Sequence, residues 1–279
     1  MDFYTLFPDL EPLVQNLIGM WPASMIRQSP WMFAFVEATH LLSLAALGGS
    51  VLLLNLRLVG VGLTSETPAS LEKTLRPFLW ASMAGLLLSG VCMAMVIAEK
   101  LFTSGAYFVK MITLVAALIF SFGVTTPVAR SDGAIRLPAK LAGAVALAIW
   151  LFAVFLFGKS SGMNPGTFHI VFAGFLIAMV FGSKTTRLVL GGVVAAAVII
   201  LAIVTYVVFN PIDNYELVMA IDIWSVRIAA LLVVAALAWE VVKPSPGAAP
   251  SPALTRLAGM FGILLWVTVA AAGRWIGLG

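Results

Sequence analysis

Polar residues are widely spaced along this chain, and the stretches between them are continuously apolar. Runs of about 20 apolar residues are long enough to cross a bilayer as helices. The pattern predicts eight such spans, at residues 31–56, 77–98, 107–129, 138–158, 165–182, 188–209, 221–241 and 254–273. Strands of a membrane barrel would alternate apolar and polar residues in segments of about 10. The sequence therefore favours an all-α integral membrane protein, because helices satisfy their own backbone groups in lipid.

The first 30 residues show a different pattern. Apolar side chains recur there at helical spacing, but polar residues such as Asp9, Glu11 and Gln15 interrupt them. This pattern predicts an amphipathic helix that lies on the membrane surface, broken at Pro8 and Pro22. The predicted organisation is thus an interfacial segment, residues 1–30, ahead of the eight spans.

Composition agrees with a membrane location. The chain is 62% hydrophobic and only 10% charged, with a mean hydropathy of +1.08, whereas a soluble domain carries about 25% charged residues. Cys92 is the single cysteine, so no intrachain disulfide can form. The net charge of +4 comes from cations scattered near the predicted helix ends, which argues against a nucleic-acid partner.

The basic residues predict an orientation. With eight spans both termini lie on one side, which carries six of the Lys and Arg residues, while the other side carries ten. The positive-inside rule makes the richer side cytoplasmic. We therefore expect a bacterial inner-membrane protein with both termini in the periplasm and the 57–76 and 130–140 loops inside.

Two halves of the chain resemble each other. KLAGAVALAIWLFAVFLFGK (140–159) and RLAGMFGILLWVTVAAAGR (256–274) both open with a cation and Leu-Ala-Gly, place Trp ten residues later and close with Gly and a cation. FVKMITLVAAL (108–118) likewise resembles SVRIAALLVVAAL (225–237). The pattern predicts two tandem four-helix repeats, residues 31–159 and 160–279, related by a pseudo-two-fold axis along the membrane normal.

The predicted repeat suggests which residues form a site, because equivalent residues of parallel repeats lie at equal depth in the membrane. The only two histidines, His40 and His169, are repeat equivalents. The same holds for two pairs of cations near one membrane face, namely Lys110 with Arg227 and Lys159 with Arg274.

Glu37 is the one carboxylate well inside a predicted span, three residues before His40 and on the same helix face. It either orients His40 or lies with it in the wet interface. Glu-x-x-His also occurs in di-iron bundles, but those need two such motifs and four carboxylates. A structural zinc site lacks further ligands, and no motif for nucleophilic catalysis is present.

Two histidines at equal depth suit haem b, since imidazole is a usual axial ligand. In the predicted site, His40 and His169 are the axial ligands of the iron, and Glu37 orients His40. The cations that bind the haem propionates or a quinone are Lys110, Arg227, Lys159 and Arg274. This predicts an electron-transfer component whose partners are the lipid bilayer, a quinone or a periplasmic redox protein, with a homo-oligomer as a further possibility.

A second interpretation uses the same cleft without haem. Symmetric cations could bind a small anion, with Glu37 and His40 as a proton relay in a transporter. A third is copper handling, with Met93, Met95 and the histidines as soft and imidazole ligands.

SPWMFAFVEATHLLSLAALGGSVLLLNLRLVGVG (29–62) resembles the first span of an uncharacterised bacterial multi-pass membrane family. The pattern of that family is Ser-x-Trp, then Glu-x-x-His, then Asp-Leu-Arg-Leu-x-Gly, often with a terminal Gly-Arg-Trp-Ile as at 273–276. Asn55 stands here where that pattern often has Asp. A looser similarity links the chain to copper-resistance D and cytochrome b-type membrane proteins, which also place a histidine early in an apolar helix.

Overall fold

The computed structural model describes residues 9, 11–60, 63–160, 184–203, 213–217, 220, 221, 224, 228, 235 and 253–276. These residues are mostly helical, and no β-strand occurs among them. The helices named below are α1 (Glu11–Gly19), α2 (Ala23–Arg27), α3 (Pro30–Val59), α4 (Pro68–Val96), α5 (Ala98–Phe102), α6 (Gly105–Arg130), α7 (Leu137–Ser160), α8 (Lys184–Ile203) and α9 (Ala253–Trp275).

Five of these helices, α3, α4, α6, α7 and α9, are long and apolar enough to cross a membrane. They confirm the predicted spans at 31–56, 77–98, 107–129, 138–158 and 254–273. Helix α8 falls in part on the predicted span 188–209. The predicted span 165–182 and most of 221–241 lie outside the described residues. The described residues are therefore all-helical with five candidate membrane spans, and the full set of eight spans stays a prediction.

Local sequence signals set where these helices begin. Ser29, Thr67 and Ser104 are the N-caps of α3, α4 and α6, and each side chain accepts a hydrogen bond from a backbone N–H three residues later. Proline follows Ser29 and Thr67, at the position where its missing N–H costs nothing. Helix α3 ends at Gly60, which adopts a left-handed conformation with φ +92°.

The five long helices pack around one core. Helix α3 packs on α4, α6 packs on α7, and α9 packs on both α3 and α6. Leu47, Leu54, Leu58 and Leu265 are the largest apolar side chains that are fully buried, and they lie where α3 meets its neighbours. The outer faces carry exposed Leu, Val and Phe, as expected of surfaces that meet lipid.

Two contacts fix the direction of α9. Thr255 Oγ1 donates a 2.7 Å hydrogen bond to the Gly133 carbonyl, so α9 begins beside the α6–α7 connection. Near its other end, Gly273 lies against the Lys110 side chain at the start of α6. Helices α7 and α9 therefore run in the same direction, which agrees with the predicted arrangement of eight spans.

One pair of residues bears on the predicted repeat. Trp150 of α7 donates a 3.1 Å hydrogen bond to Thr268 Oγ1 and packs edge-on against Phe261. Residues 261 and 268 lie on either side of Trp266 in the sequence, so the two tryptophans that the predicted repeat makes equivalent lie at a similar level in α7 and α9. The division into repeats 31–159 and 160–279 still rests on the sequence, because most of the second half is not described.

Helix α6 contains a π turn at Ser121–Thr125, where the Thr126 N–H donates to the Ser121 carbonyl. Pro127 follows directly. A proline lacks the N–H that the Gly123 carbonyl would otherwise receive, and its ring crowds that carbonyl. The wider turn accommodates both effects, which is a known adjustment of membrane helices to proline.

The interfacial segment predicted over residues 1–30 folds as two short helices in its described part. Helix α1 packs on α5 and α4, with Val14 buried and Gln15 Nε2 donating a 2.6 Å hydrogen bond to Glu99. Helix α2 packs on α3 and α4 through Ala23 and Ile26. The break falls at Pro22, as predicted, while Pro8 lies outside the described residues. The exposed Trp21 suits the aromatic level of a membrane interface.

Candidate functional site

The candidate site lies at the end of the bundle where α3 and α6 begin and α4 and α9 end. A fixed register between α3 and α4 brings its residues together. Ser43 faces Gly85 on the neighbouring helix, and one turn nearer the end of the bundle His40 faces Ser89 and Gly90. The small residues at 85 and 90 allow this close approach.

His40 is half-buried, and a hydrogen bond holds its ring. The distance from His40 Nδ1 to Ser89 Oγ is 3.0 Å. The Ser89 hydroxyl has one proton, and it donates that proton to the Gly85 carbonyl at 2.5 Å. With its proton in that bond, Ser89 can accept from a His40 tautomer that carries its proton on Nδ1. The Nε2 lone pair is then free to bind a metal or to accept a proton.

Gly90 determines how closely the ring can lie on α4. A Cβ atom at residue 90 would stand 3.2 Å from His40 Cε1 and 3.6 Å from Nδ1. Any larger residue would press on the ring and on its bond to Ser89. Sequence reasoning missed both Ser89 and Gly90, although a Ser-Gly pair inside an apolar run is a signal for close helix packing.

Lys110 lies within the same end of the bundle, half-buried against α9. A Cβ atom at Gly273 would be 3.5–3.7 Å from the Cε, Cδ and Nζ atoms of Lys110. His40 and Lys110 lie 70 positions apart in the sequence. Both are predicted site residues, and both are found at the same end of the bundle.

Thr113 lies one helical turn beyond Lys110, on the same face of α6. Its side chain is fully buried. Within the part of the chain that is described, its hydroxyl has no hydrogen-bond partner. Buried hydroxyls are normally bonded, so Thr113 is an exception among the described residues.

Glu37 is exposed, and no described hydrogen bond joins it to His40. It lies about 10 Å along α3 from the first residue of that helix, which agrees with a place in the wet interface. Because Nδ1 is taken by Ser89, Glu37 could orient the ring only through Nε2. That is the atom a metal would need, so the two predicted roles compete.

The other predicted residues are only partly described. Arg274 is exposed and directly follows Gly273. Because Gly273 contacts Lys110, Arg274 lies at the same end of the folded bundle as Lys110. Lys159 belongs to the last turn of α7, but its side chain lies outside the described residues, as do His169 and Arg227 altogether. Their predicted joint site with His40 therefore stays a prediction.

Of the two predicted methionine ligands, only Met93 is well placed. It follows Ser89 by four residues and Gly90 by three, so it lies on the face of α4 that meets α3. Met95 does not share that face. Both side chains are half-buried.

Glu37 is not the only carboxylate inside a long helix. Helix α4 begins at Pro68, nine residues before the predicted span, and this adds Glu72 to it. Glu72 is completely buried, at the opposite end of the bundle from His40, and pairs with Arg76 and Arg130.

Comparison with known proteins adds one similarity. No curated protein and no solved structure matches the chain. Residues 30–164 match a sequence family described as a family of unknown function (DUF6644). This segment coincides closely with the predicted first repeat and contains Glu37, His40, Ser89 and Lys110. Over these residues the chain is similar to an uncharacterised family, in keeping with the resemblance of its first span.

Proposed function

We propose that the protein is a membrane b-type cytochrome-like electron-transfer component, in which His40 binds haem iron through Nε2. The observation that carries this proposal is the hydrogen bond between His40 Nδ1 and Ser89. Histidines that bind metals almost always donate their other ring N–H to a protein group, which fixes the tautomer and the direction of the ring.

Two further features support it. Gly85 lets Ser43 of α3 approach α4 closely, and Gly90 lets the imidazole of His40 lie against α4. Lys110 supplies a partly buried cation at the same end of the bundle as His40, and the two propionates of haem require such partners. Haem would supply one-electron redox chemistry, while the chain itself orients the ligand and neutralises the propionate charge.

His169 is the proposed second axial ligand, and Arg227, Lys159 and Arg274 are the proposed further propionate partners. This part follows from the predicted repeat. A quinone or a periplasmic redox protein would exchange electrons with the site, since the site lies near the end of the bundle that is predicted to face the periplasm.

The test is a reduced-minus-oxidised absorbance spectrum of the protein purified from cells supplied with haem. The wild type should show a six-coordinate b-type spectrum, and His40→Ala and His169→Ala should each abolish it, because each half has one imidazole. Thr39→Ala is the matched control, since its hydroxyl bonds only the Phe35 carbonyl of its own helix. A wild type without haem, or a His40→Ala variant that keeps the spectrum, would refute the proposal.

Met93 favours copper handling as a second candidate function. Its position on the face of α4 that meets His40 could pair a thioether with Nε2, a combination suited to Cu(I). Met93→Leu should then lower the copper bound per protein, and Met95→Leu should not. If neither haem nor copper is found, transport of a small anion is tested by Lys110→Gln against the exposed Lys100→Gln.

A further inference from the structure

The end of the bundle opposite His40 is strongly basic. Its side chains on the described helices and loops include seven cations and three acids: Arg57, Lys73, Arg76, Arg130, Arg136, Lys140 and Arg256 against Glu66, Glu72 and Asp132. Two of the acids are already engaged in holding the protein together. Asp132 Oδ1 accepts a 3.1 Å hydrogen bond from the Ala69 N–H at the start of α4, and Glu72 is buried.

Glu72 lies beneath two arginines from different helices. Arg76, one turn along α4, donates to it through Nε at 3.1 Å and Nη2 at 2.6 Å. Arg130, at the end of α6, donates through Nε at 3.0 Å. Two guanidinium groups around one carboxylate leave a net positive charge. The carboxylate fixes the guanidinium plane of Arg76 through two bonds and holds Arg130 through one, so both arginines are positioned before any ligand arrives.

Both arginines remain open on their outer side. The side chains of Arg76 and Arg130 are 44% and 49% exposed, although Glu72 itself is at 0%. Within the described residues, Arg76 Nη1 and both Nη atoms of Arg130 have no hydrogen-bond acceptor. These donors form a fork of the kind that binds the oxygens of phosphate.

The position of this fork relates it to the bilayer. Helix α4 has 29 residues and is about 43 Å long, whereas the hydrocarbon core is about 30 Å thick. Arg76 is the ninth residue of α4, which places it near the boundary between headgroups and hydrocarbon. Exposed Leu137, Phe78 and Trp80 surround this level with apolar surface, which suits acyl chains and not a freely soluble anion.

We propose that Arg76 and Arg130, oriented by Glu72, form a binding site for the phosphate group of an anionic phospholipid. The site lies between the start of α4 and the end of α6. A bound lipid would neutralise the positive charge that remains when Glu72 pairs with two arginines. It would also join α4 and α6, which already meet through Glu72. This site is independent of any cofactor at His40.

The test is native mass spectrometry of the purified protein in mixed micelles of phosphatidylglycerol and phosphatidylcholine. The wild type should retain phosphatidylglycerol in preference to phosphatidylcholine. Arg76→Gln with Arg130→Gln should reduce the retained phosphatidylglycerol by roughly fivefold per arginine, as expected for a cation at the membrane surface. Since that variant leaves Glu72 buried without a partner, a triple variant that adds Glu72→Gln provides the same test without an unpaired charge.

The matched control is Lys73→Gln with Lys140→Gln, which removes the same charge from the same end but does not touch Glu72. This control should keep its phosphatidylglycerol. Arg76→Lys with Arg130→Lys should lose part of it, because lysine keeps the charge but not the fork. An equal loss in the control, full retention in the lysine variant, or displacement of the lipid by excess inorganic phosphate would each overturn the proposal.

Discussion

Asn55 and Thr125 meet inside the bundle, toward the end where α3 and α6 finish, and Thr125 Oγ1 donates a 3.2 Å hydrogen bond to Asn55 Oδ1. The Asn55 side chain is completely buried and also donates to the Val51 carbonyl of its own helix at 2.9 Å. This bond connects α3 to the π turn of α6. A buried polar bond between membrane helices fixes their relative rotation, because each group would otherwise lie unpaired in an apolar surrounding.

The Asn55–Thr125 bond predicts that the effects of substitutions at these two residues on stability are coupled. Asn55→Leu and Thr125→Val should each lower the melting temperature in detergent, and the double variant should lose less than the two losses combined. Coupling between such pairs in membrane proteins is about 0.6 kcal/mol, with a maximum near 1.7 kcal/mol. Thr39→Val is the control, since Thr39 bonds only within α3. Strict additivity of the two losses would show that the bond contributes nothing.

The glycines of α9 predict a second effect on stability. A Cβ atom at Gly259 would stand 2.6 Å from the Asn55 carbonyl oxygen and 2.7 Å from a methyl group of Val59. Gly259→Ala should therefore push α9 away from α3 and cost about 1–3 kcal/mol, the usual range for overpacking. Gly49→Ala on α3 should be harmless, because nothing lies within 4 Å of its Cβ position. The measurement is the thermal unfolding temperature of both variants. An equal unfolding temperature for the two would contradict the prediction.

Hydrophobic pattern and caps explain what could be predicted from the sequence. The apolar runs located the five long described helices, but hydropathy placed the start of α4 too late. The first turns of α4 carry Glu72, Lys73 and Arg76, which lower the mean hydropathy of this stretch. Thr67 and Pro68, in contrast, are a clear signal for the start of a helix.

The candidate site was predictable only in part. His40 and Lys110 stood out because ionisable residues in apolar runs are rare, and both lie at the same end of the bundle. Ser89 and Gly90 did not stand out, since small polar residues are common in membrane helices and only the α3–α4 register gives them a partner. The burial of Glu72 likewise depends on Arg130, which is 58 residues away.

Ser89 is expected to control the ligand more strongly than Glu37. If His40 binds haem, Ser89→Ala removes the acceptor of the Nδ1 proton and should weaken cofactor retention by about tenfold, the lower end of effects at such positions. Ser82→Ala is the matched control, because the Ser82 hydroxyl bonds its own helix in the same way but has no hydrogen bond to His40. Glu37→Gln should leave retention unchanged. A tenfold loss in Glu37→Gln together with no loss in Ser89→Ala would reverse these roles.

The predicted orientation can be tested with a single cysteine. Cys92→Ser gives a background without cysteine, into which Ser131→Cys or Gln28→Cys is introduced at opposite ends of the bundle. In intact cells whose outer membrane is permeabilised, a membrane-impermeant maleimide should label residue 28 and not residue 131. Labelling of residue 131 alone would invert the orientation.

The π turn of α6 sets an angle between the two ends of the molecule. Residues 117, 121, 125 and 129 are all buried at a strict spacing of four, although four residues of a regular α-helix advance about 40° beyond one full turn. The extra residue of the π turn absorbs part of this drift, so that Lys110 contacts α9 while Arg130 reaches Glu72. Rewinding the turn as regular α-helix would rotate one end against the other by about 100°. Arg130 would then turn away from Glu72 whenever Lys110 stayed in place, so the winding of this one turn links the histidine end to the arginine end.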